Sequence, residues 1–348
     1  MTILDYVKKY NYTFEEKEFN EVDNLVLATI IYADMNKLIG RNEKITLGEL
    51  SDRFFENYKK DKTIMAVKES IKLLKLVKDS IRFKDILVYN YVYKSDDYSQ
   101  FSAATFEFGN TLYIAYEGTD ELVSGWEEDF DMAYMFPVKA HKEAAKYLNK
   151  YTFTNKNIIL GGHSKGGNLA LVAGMLSNIF LRSRITKIYS NDGQGLRKTE
   201  LHSVKYKRIR KKYIHLIPQN SIVGLLFRHE NDIVVKANAL TLFSHIPSTW
   251  KVVDDHFERT ELIKSSIIFD KGLSMWLDKY GYEDRKKFIK ESFNVFRENG
   301  ITSIIQIRKD FSHVVNIIKS SSKVSDEVKE MFNELINIIN QVRKENSK

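Results

Sequence analysis

Residues 157–170 read NIILGGHSKGGNLA, and within them Gly162-His163-Ser164-Lys165-Gly166 fits the pattern G-x-S-x-G. Aliphatic residues typical of a strand lead into the pattern, and a run with Ala and Leu at helical spacing leaves it. A sharp strand-to-helix turn forces its central residue into a strained backbone conformation. Glycines two positions away on either side remove the side chains that would collide there. The expected result is an exposed Ser164 hydroxyl beside a helix N-terminus, whose free N–H groups and dipole favour an oxyanion. That is the chemistry of an acyl-transfer nucleophile. An incidental serine in a glycine-rich turn is the plainer reading, and the strand and helix on either side weigh against it.

A serine nucleophile needs a base, oxyanion donors and a group that orients the base. The strand TLYIAY (111–116) runs into Glu117-Gly118-Thr119-Asp120, where a sheet of this kind sets its second oxyanion loop. The N–H of Lys165 and a donor from Thr119, its N–H or its hydroxyl, are therefore the candidate oxyanion hole. Alone, Gly-Thr-Asp would read as a helix-capping turn. For the base, chain order places a His beyond the last strand. Two qualify: His245 follows the expected strand DIVVKA (232–237), and His256 opens the expected helical tail.

The elements that must carry these residues follow from hydrophobic periodicity. Residues 1 to about 80 read as helices without strand signals, with Val22, Leu25, Leu27, Ile30 and Ile31 on one apolar face and Ile64, Val67, Ile71, Leu74 and Val77 on another. From Ile86 the pattern becomes ILVYNYVY, FSAATFEF and TLYIAY, the last two joined by Gly109-Asn110, a two-residue hairpin signature. Strands at 157–160, 185–190 and 213–217 then alternate with helices at about 140–151 and 165–180 and a basic helical stretch, which implies βαβ units and a mostly parallel sheet. From His256 only helical patterns remain. They end in the stripe Val324, Val328, Met331, Leu335, Ile338 and Val342, too short for a free coiled coil, so docking within the chain is the default expectation. We read a hydrolase domain at 1–255, including the N-terminal helices, and a helical extension at 256–348.

Composition narrows the classes. The 348 residues contain no Cys, which excludes a Cys nucleophile, disulfides and thiolate metal sites, and the eight His show no HExxH spacing. No metal or cofactor is expected. The N-terminus carries charge through every apolar stretch, and the longest uncharged run, Gly166 to Leu181, has 16 residues, short of the ~20 that span a bilayer. A cytoplasmic protein without a transmembrane segment is expected. The net charge of +8 is concentrated between Arg197 and Lys212, where eight basic residues face Glu200 alone. A solvated helix face is the plain reading, with Tyr206 and Ile209 as core anchors. An anionic surface or acidic substrate is the functional alternative, and nucleic acid is not expected because no recognition module accompanies the charge.

The segments YEGTDELVSGWEEDFDMAY (116–134), GGHSKGG, IPQNSIVGLLF (217–227) and SHIPSTW (244–250) resemble the Mbeg-like family of bacterial proteins, itself similar to class 3 lipases in the α/β-hydrolase superfamily. The resemblance covers roughly residues 20–255. It implies an α/β-hydrolase-like fold, mostly parallel with antiparallel N-terminal strands and with helical additions at both ends. It further implies Ser164 as nucleophile, His245 as base, Gly118 and Thr119 as the oxyanion segment, and Trp126 and Asp129 as its continuation. The sequence departs from the lipases twice. Glu117 stands where they have Arg, and Ser221 stands where their acid lies, although Ser cannot supply the charge that steadies an imidazolium. Asp192, just after strand 185–190, is the best substitute, because the ends of neighbouring parallel strands converge on one site. Glu230 and Asp232 are the fallbacks. The expected function is a serine hydrolase of a lipid or small-acyl carboxylic ester. The alternative is a non-catalytic binding or regulatory protein that kept the scaffold after losing its acid.

Overall fold

In the computed structural model the described residues are 1–58, 65–96, 99–119, 123–152, 154–301, 317 and 320–346; Ile64 of the expected apolar face lies outside them. Eight strands lie in sequence order in one sheet: β1 (Ile45–Thr46), β2 (Leu87–Asp96), β3 (Ser99–Phe108), β4 (Thr111–Tyr116), β5 (Asn157–His163), β6 (Ile185–Asn191), β7 (Tyr213–Pro218) and β8 (Ile233–Val235). Pairs from β1 to β4 are antiparallel and those from β4 to β8 parallel. The β3–β4 hairpin turns at Gly109-Asn110, with Gly109 at φ 50°, a left-handed conformation that a side chain would oppose. This is the α/β-hydrolase-like arrangement expected from the sequence.

Both faces of the sheet are covered, as the period-two alternation of a strand requires. Tyr113, Ala115, Ile159 and Tyr189 point into one core with the N-terminal helices α1 (Ile3–Lys9), α2 (Glu21–Ile30), α3 (Leu47–Asn57) and α4 (Met65–Val77). Leu112, Ile114, Ile158, Leu160 and Ile188 point into the opposite core with α6 (Lys139–Tyr151) and α7 (Lys165–Leu176). Capping boxes at Thr2, Asn20 and Thr46 start α1, α2 and α3. The buried ion pair of Asp23 with Arg82, 2.6 Å, ties α2 to the turn before β2.

A third apolar cluster joins α5 (Val123–Asp131), α11 (Lys264–Lys279), α12 (Tyr282–Glu298) and the final helix, Asp326–Glu345. Val324, Val328, Met331, Ile338 and Val342 are all buried in it, so the stripe docks within the chain. Trp276 Nε1–H donates to Met331 O at 3.0 Å. Among the described residues no helix is long and apolar enough to cross a membrane.

Three local expectations are corrected. The N-terminal segment does contain a strand, the two-residue β1, paired at the sheet edge with Leu87 and Val88. The helix expected to run to Phe180 stops at Leu176, and α8 (Ile179–Arg184) restarts behind Asn178, whose side chain caps Leu181 N–H at 2.9 Å. His256 does not open the tail: it sits in β10 (His256–Phe257), paired with β9 (Val252–Val253), and α11 begins only at Lys264.

Candidate active site

The turn between β5 and α7 has the geometry the glycines allow. Ser164 has φ 58° and ψ −134° and stands at the N-cap of α7, a conformation that costs ~1–3 kcal/mol in a non-glycine residue. Gly162 and Gly166 are forced by space: a Cβ on Gly162 would lie 2.2 Å from the Gly166 carbonyl carbon, and one on Gly166 would lie 2.1 Å from Tyr116 O. The turn is pinned by Ser164 N–H donating to Asn191 O, 2.9 Å, and Asn191 Nδ2–H donating to Gly162 O, 2.9 Å.

Next to Asn191 in the chain, Asp192 adopts φ 50° just past the end of β6 and is fully buried. Its Oδ2 accepts Nδ1–H of His245 at 2.6 Å. Its Oδ1 accepts the Ser221 hydroxyl at 2.5 Å and the Gly224 N–H at 3.0 Å. Burial by itself would raise the Asp192 pKa, but the bonds and charge of His245 and the Ser221 bond outweigh it and hold the carboxyl below its ordinary range. Ser221, at the position where the lipases' acid is expected, serves as a hydrogen-bond donor to the acid one strand earlier. The fallback acids lie elsewhere: Asp232 engages His215 and His229, and Glu230 faces Tyr206. His256 pairs with its neighbour Asp255 at the surface.

His245 also meets the Ser164 turn. His163, the residue before Ser164, donates Nε2–H to His245 O at 2.8 Å, and the two rings lie 4.4 Å apart. Burial, reinforced by the charge of His245, lowers His163 to about 3, so its Nδ1 is free of a proton and faces Tyr32 Oη at 3.2 Å. His245 thus rests on an uncharged ring, with its side chain 22% exposed. With Nδ1–H directed at Asp192, Nε2 carries the lone pair that a base needs.

The Gly118-Thr119 segment closes on the same point. A Cβ on Gly118 would lie 3.1 Å from Ser164 Cβ and 2.0 Å from Tyr32 Oη, so only glycine fits there. Thr119 spends its hydroxyl on Asp129 Oδ2, 2.7 Å, so of the two donors expected of it the backbone N–H is the one not spent there. Lys165 offers the N–H of the first helical turn, while its side chain runs under the site to Glu128 Oε2 at 2.6 Å and Asp129 Oδ1 at 3.5 Å. Burial, aggravated by the nearby Glu128, raises Asp129 to about 6 despite the ammonium. Gln194 Nε2–H donates to the same carboxylate at 3.2 Å. None of Glu128, His163, Gln194 and Ser221 was singled out for these roles from the sequence.

The expectation of an exposed hydroxyl is not met: Ser164 is 4% exposed, enclosed in part by Gly118. Among the described residues no group of three or more His, Asp or Glu is arranged to hold a metal ion.

A family model described as Mbeg1-like matches residues 77–294, a span that starts later than the resemblance expected and runs into α12. No protein of curated function matches the sequence. Among solved structures, a triacylglycerol lipase whose catalytic centre is described as a serine protease triad aligns at 13% identity and TM-score 0.38, over 62% of this chain and 78% of that one. A lipase from Rhizopus microsporus var. chinensis aligns at 16% and 0.34, over 54% and 78%. M37 lipase aligns at 16% and 0.35, over 58% and 68%.

Proposed function

The chain belongs to the Mbeg1-like family, and from that premise and the geometry around Ser164 we propose that it is a serine hydrolase cleaving a carboxylic ester of lipid or small-acyl type. Ser164 Oγ attacks the acyl carbon while His245 Nε2 takes its proton. Asp192 holds the imidazole in the required tautomer and balances the imidazolium that forms. The N–H groups of Thr119 and Lys165 receive the developing oxyanion. His245 then returns the proton to the departing alcohol oxygen. Water, deprotonated by the same imidazole, releases the acid and restores Ser164.

The single observation that carries this reading is the 2.6 Å bond from His245 to a buried Asp192 beside the strained Ser164 turn. It answers the absence of an acid at 221, the main support for a non-catalytic scaffold. The 4% exposure of Ser164 favours that second reading, unless the wall around the serine moves to admit an acyl chain. Labelling with a fluorophosphonate probe separates the two. Wild type should be labelled and Ser164→Ala should not, with any residual esterase rate in the variant limited to ~10³–10⁴ over water. A wild type that resists the probe and hydrolyses no p-nitrophenyl ester from acetate to palmitate would leave the binding role.

A further inference from the structure

Away from the Ser164 site, a cavity of about 420 Å³ lies where the segment after β6 meets α11 and α12. Arg197, Lys198, Arg228 and Arg285 line it, with Asp278 as their acidic neighbour. Arg197 is matched by Glu200, which takes its Nε and Nη2 at 2.7 and 2.6 Å. Asp278 is shared between Arg228, 2.8 Å, and Lys198, 3.6 Å. Four cations therefore face two carboxylates, and Arg285 has neither: among the described residues its guanidinium donates only to the backbone carbonyls of Ala133 and Leu277.

Carbonyls solvate a guanidinium without neutralising it. The Nε of Arg285 is buried with no hydrogen-bond partner, an unfavourable state unless something accepts from it. Burial, together with the repulsion of Arg197 and Arg228, lowers the Arg285 pKa, and the attraction of Asp278, which reaches it without a hydrogen bond, does not offset them. The Tyr282 ring lies within cation–π range of both Arg197 (4.7 Å) and Arg285 (5.4 Å), which fixes their side chains without adding charge.

We propose that this cavity is a binding site for a phosphate group, carried by a small phosphate ester or by a phospholipid headgroup. The surplus of two positive charges matches a phosphate monoester dianion, and planar guanidinium groups supply the bidentate donors that phosphate oxygens take up. Such a ligand bridges the sheet domain and the C-terminal helices, because Arg197 and Arg228 belong to the first and Arg285 to the second. The site requires no role for Ser164 and is read by binding alone.

The test is calorimetric titration of the full chain with inorganic phosphate and with glycerol 3-phosphate, at ionic strength matched with chloride. Flotation with phosphatidylcholine vesicles, with and without phosphatidic acid, forms the second arm. Saturable binding should weaken roughly ten-fold or more in Arg285→Gln and roughly three-fold in Lys198→Gln, with Lys251→Gln unchanged. Lys198 is two-thirds exposed, so its variant folds even if Arg285→Gln does not. Binding of glycerol 3-phosphate assigns a soluble ester, and flotation alone, weakened in Lys198→Gln, assigns the headgroup. No binding in either arm, or binding that neither variant weakens, overturns the site.

Discussion

Replacing Asp192 by Asn keeps the shape of the side chain and removes its charge, and the hydrogen-bond pattern dictates the consequence. The carboxylate receives three donors: His245 Nδ1–H on Oδ2, and the Ser221 hydroxyl and Gly224 N–H on Oδ1. An amide has one acceptor atom. Turning it toward Ser221 and Gly224 satisfies two donors, whereas turning it toward His245 takes the acceptor from the buried Ser221 hydroxyl at a cost of ~1–3 kcal/mol, the Gly224 N–H keeping only Ser221 Oγ at 3.1 Å, so the first orientation wins. Its NH₂ then points at His245 Nδ1 and selects the tautomer protonated on Nε2, which cannot act as base. The lost charge alone, about 4 Å from the imidazolium at an effective dielectric of ~20, is worth about 4 kcal/mol, or roughly 10³ in rate. The wrong tautomer brings the expected loss to ~10³–10⁴. The assay is kcat/KM on p-nitrophenyl butyrate together with the rate of fluorophosphonate labelling, with circular dichroism to establish that the variant folds. Activity within ten-fold of wild type would refute the reasoning, and an inactive Asp232→Asn beside an active Asp192→Asn would move the acid to 232.

Ser164→Gly should abolish esterase activity yet raise the melting temperature by roughly 1–4 °C, because glycine accepts φ 58° without strain; a lower melting temperature would argue against strain at the turn. Lys165→Met leaves Glu128 and Asp129 buried without their ammonium and should cost roughly 3–5 kcal/mol in urea unfolding, a loss below 1 kcal/mol being the contrary result. Burial opposes the charge on His229, but Asp232 and Asp270 prevail and raise it to about 9. Because the folded value lies above the unfolded one, this stabilisation is complete below pH ~6.5 and disappears as pH rises to about 9, up to roughly 3 kcal/mol. His229→Gln should flatten wild-type stability across that window, and an unchanged slope would exclude His229 as its source. Gly118→Ala, whose methyl would meet Tyr32 Oη at 2.0 Å and His163 O at 2.6 Å, should destabilise the fold by ~1–3 kcal/mol, and a neutral melting temperature would show that the segment yields.

The residues brought together at the candidate site were legible because each sits in a local pattern. Ser164 lies between strand and helix signals and Asp192 follows a strand end, while chain order leaves His245 and His256 both open and the family resemblance chooses His245. Their surroundings were not legible, since they depend on pairs far apart in the chain. Ser221 reads as a missing acid until it is seen donating to Asp192, 29 positions away. Lys165 is singled out in the sequence only for its N–H, and nothing near it in the chain announces Glu128, 37 positions earlier, beside its ammonium. The strands at Ile45–Thr46 and His256–Phe257 are two residues long and carry no periodicity. The break at Ser177-Asn178 did carry a signal, an Asn cap, but the apolar run across it concealed the stop. The buried Ser164 has a related cause: motif and turn fix the backbone, while exposure depends on what packs over it.

The placement of α5 links the C-terminal helices to the chemistry proposed at the end of the central strand β5. Glu127 and Asp131, one helical turn apart, face α12, where Lys290 Nζ reaches them at 2.8 and 2.9 Å and Arg297 joins Glu127. Glu128 and Asp129 face the opposite way and hold Lys165 and the Thr119 hydroxyl. A helix this short has no internal give at the scale of a hydrogen bond. Only a shift of α12 large enough to carry α5 with it would move the carboxylate that fixes Thr119, with no direct contact between tail and serine required. The outer ion pairs are half-exposed on their basic side and individually weak, whereas the inner ones are buried and expensive to break. Under strain the outer contacts yield first, so the C-terminal helices can adjust their seat by small amounts while Asp129 keeps its bond to Thr119 and Glu128 its bond to Lys165.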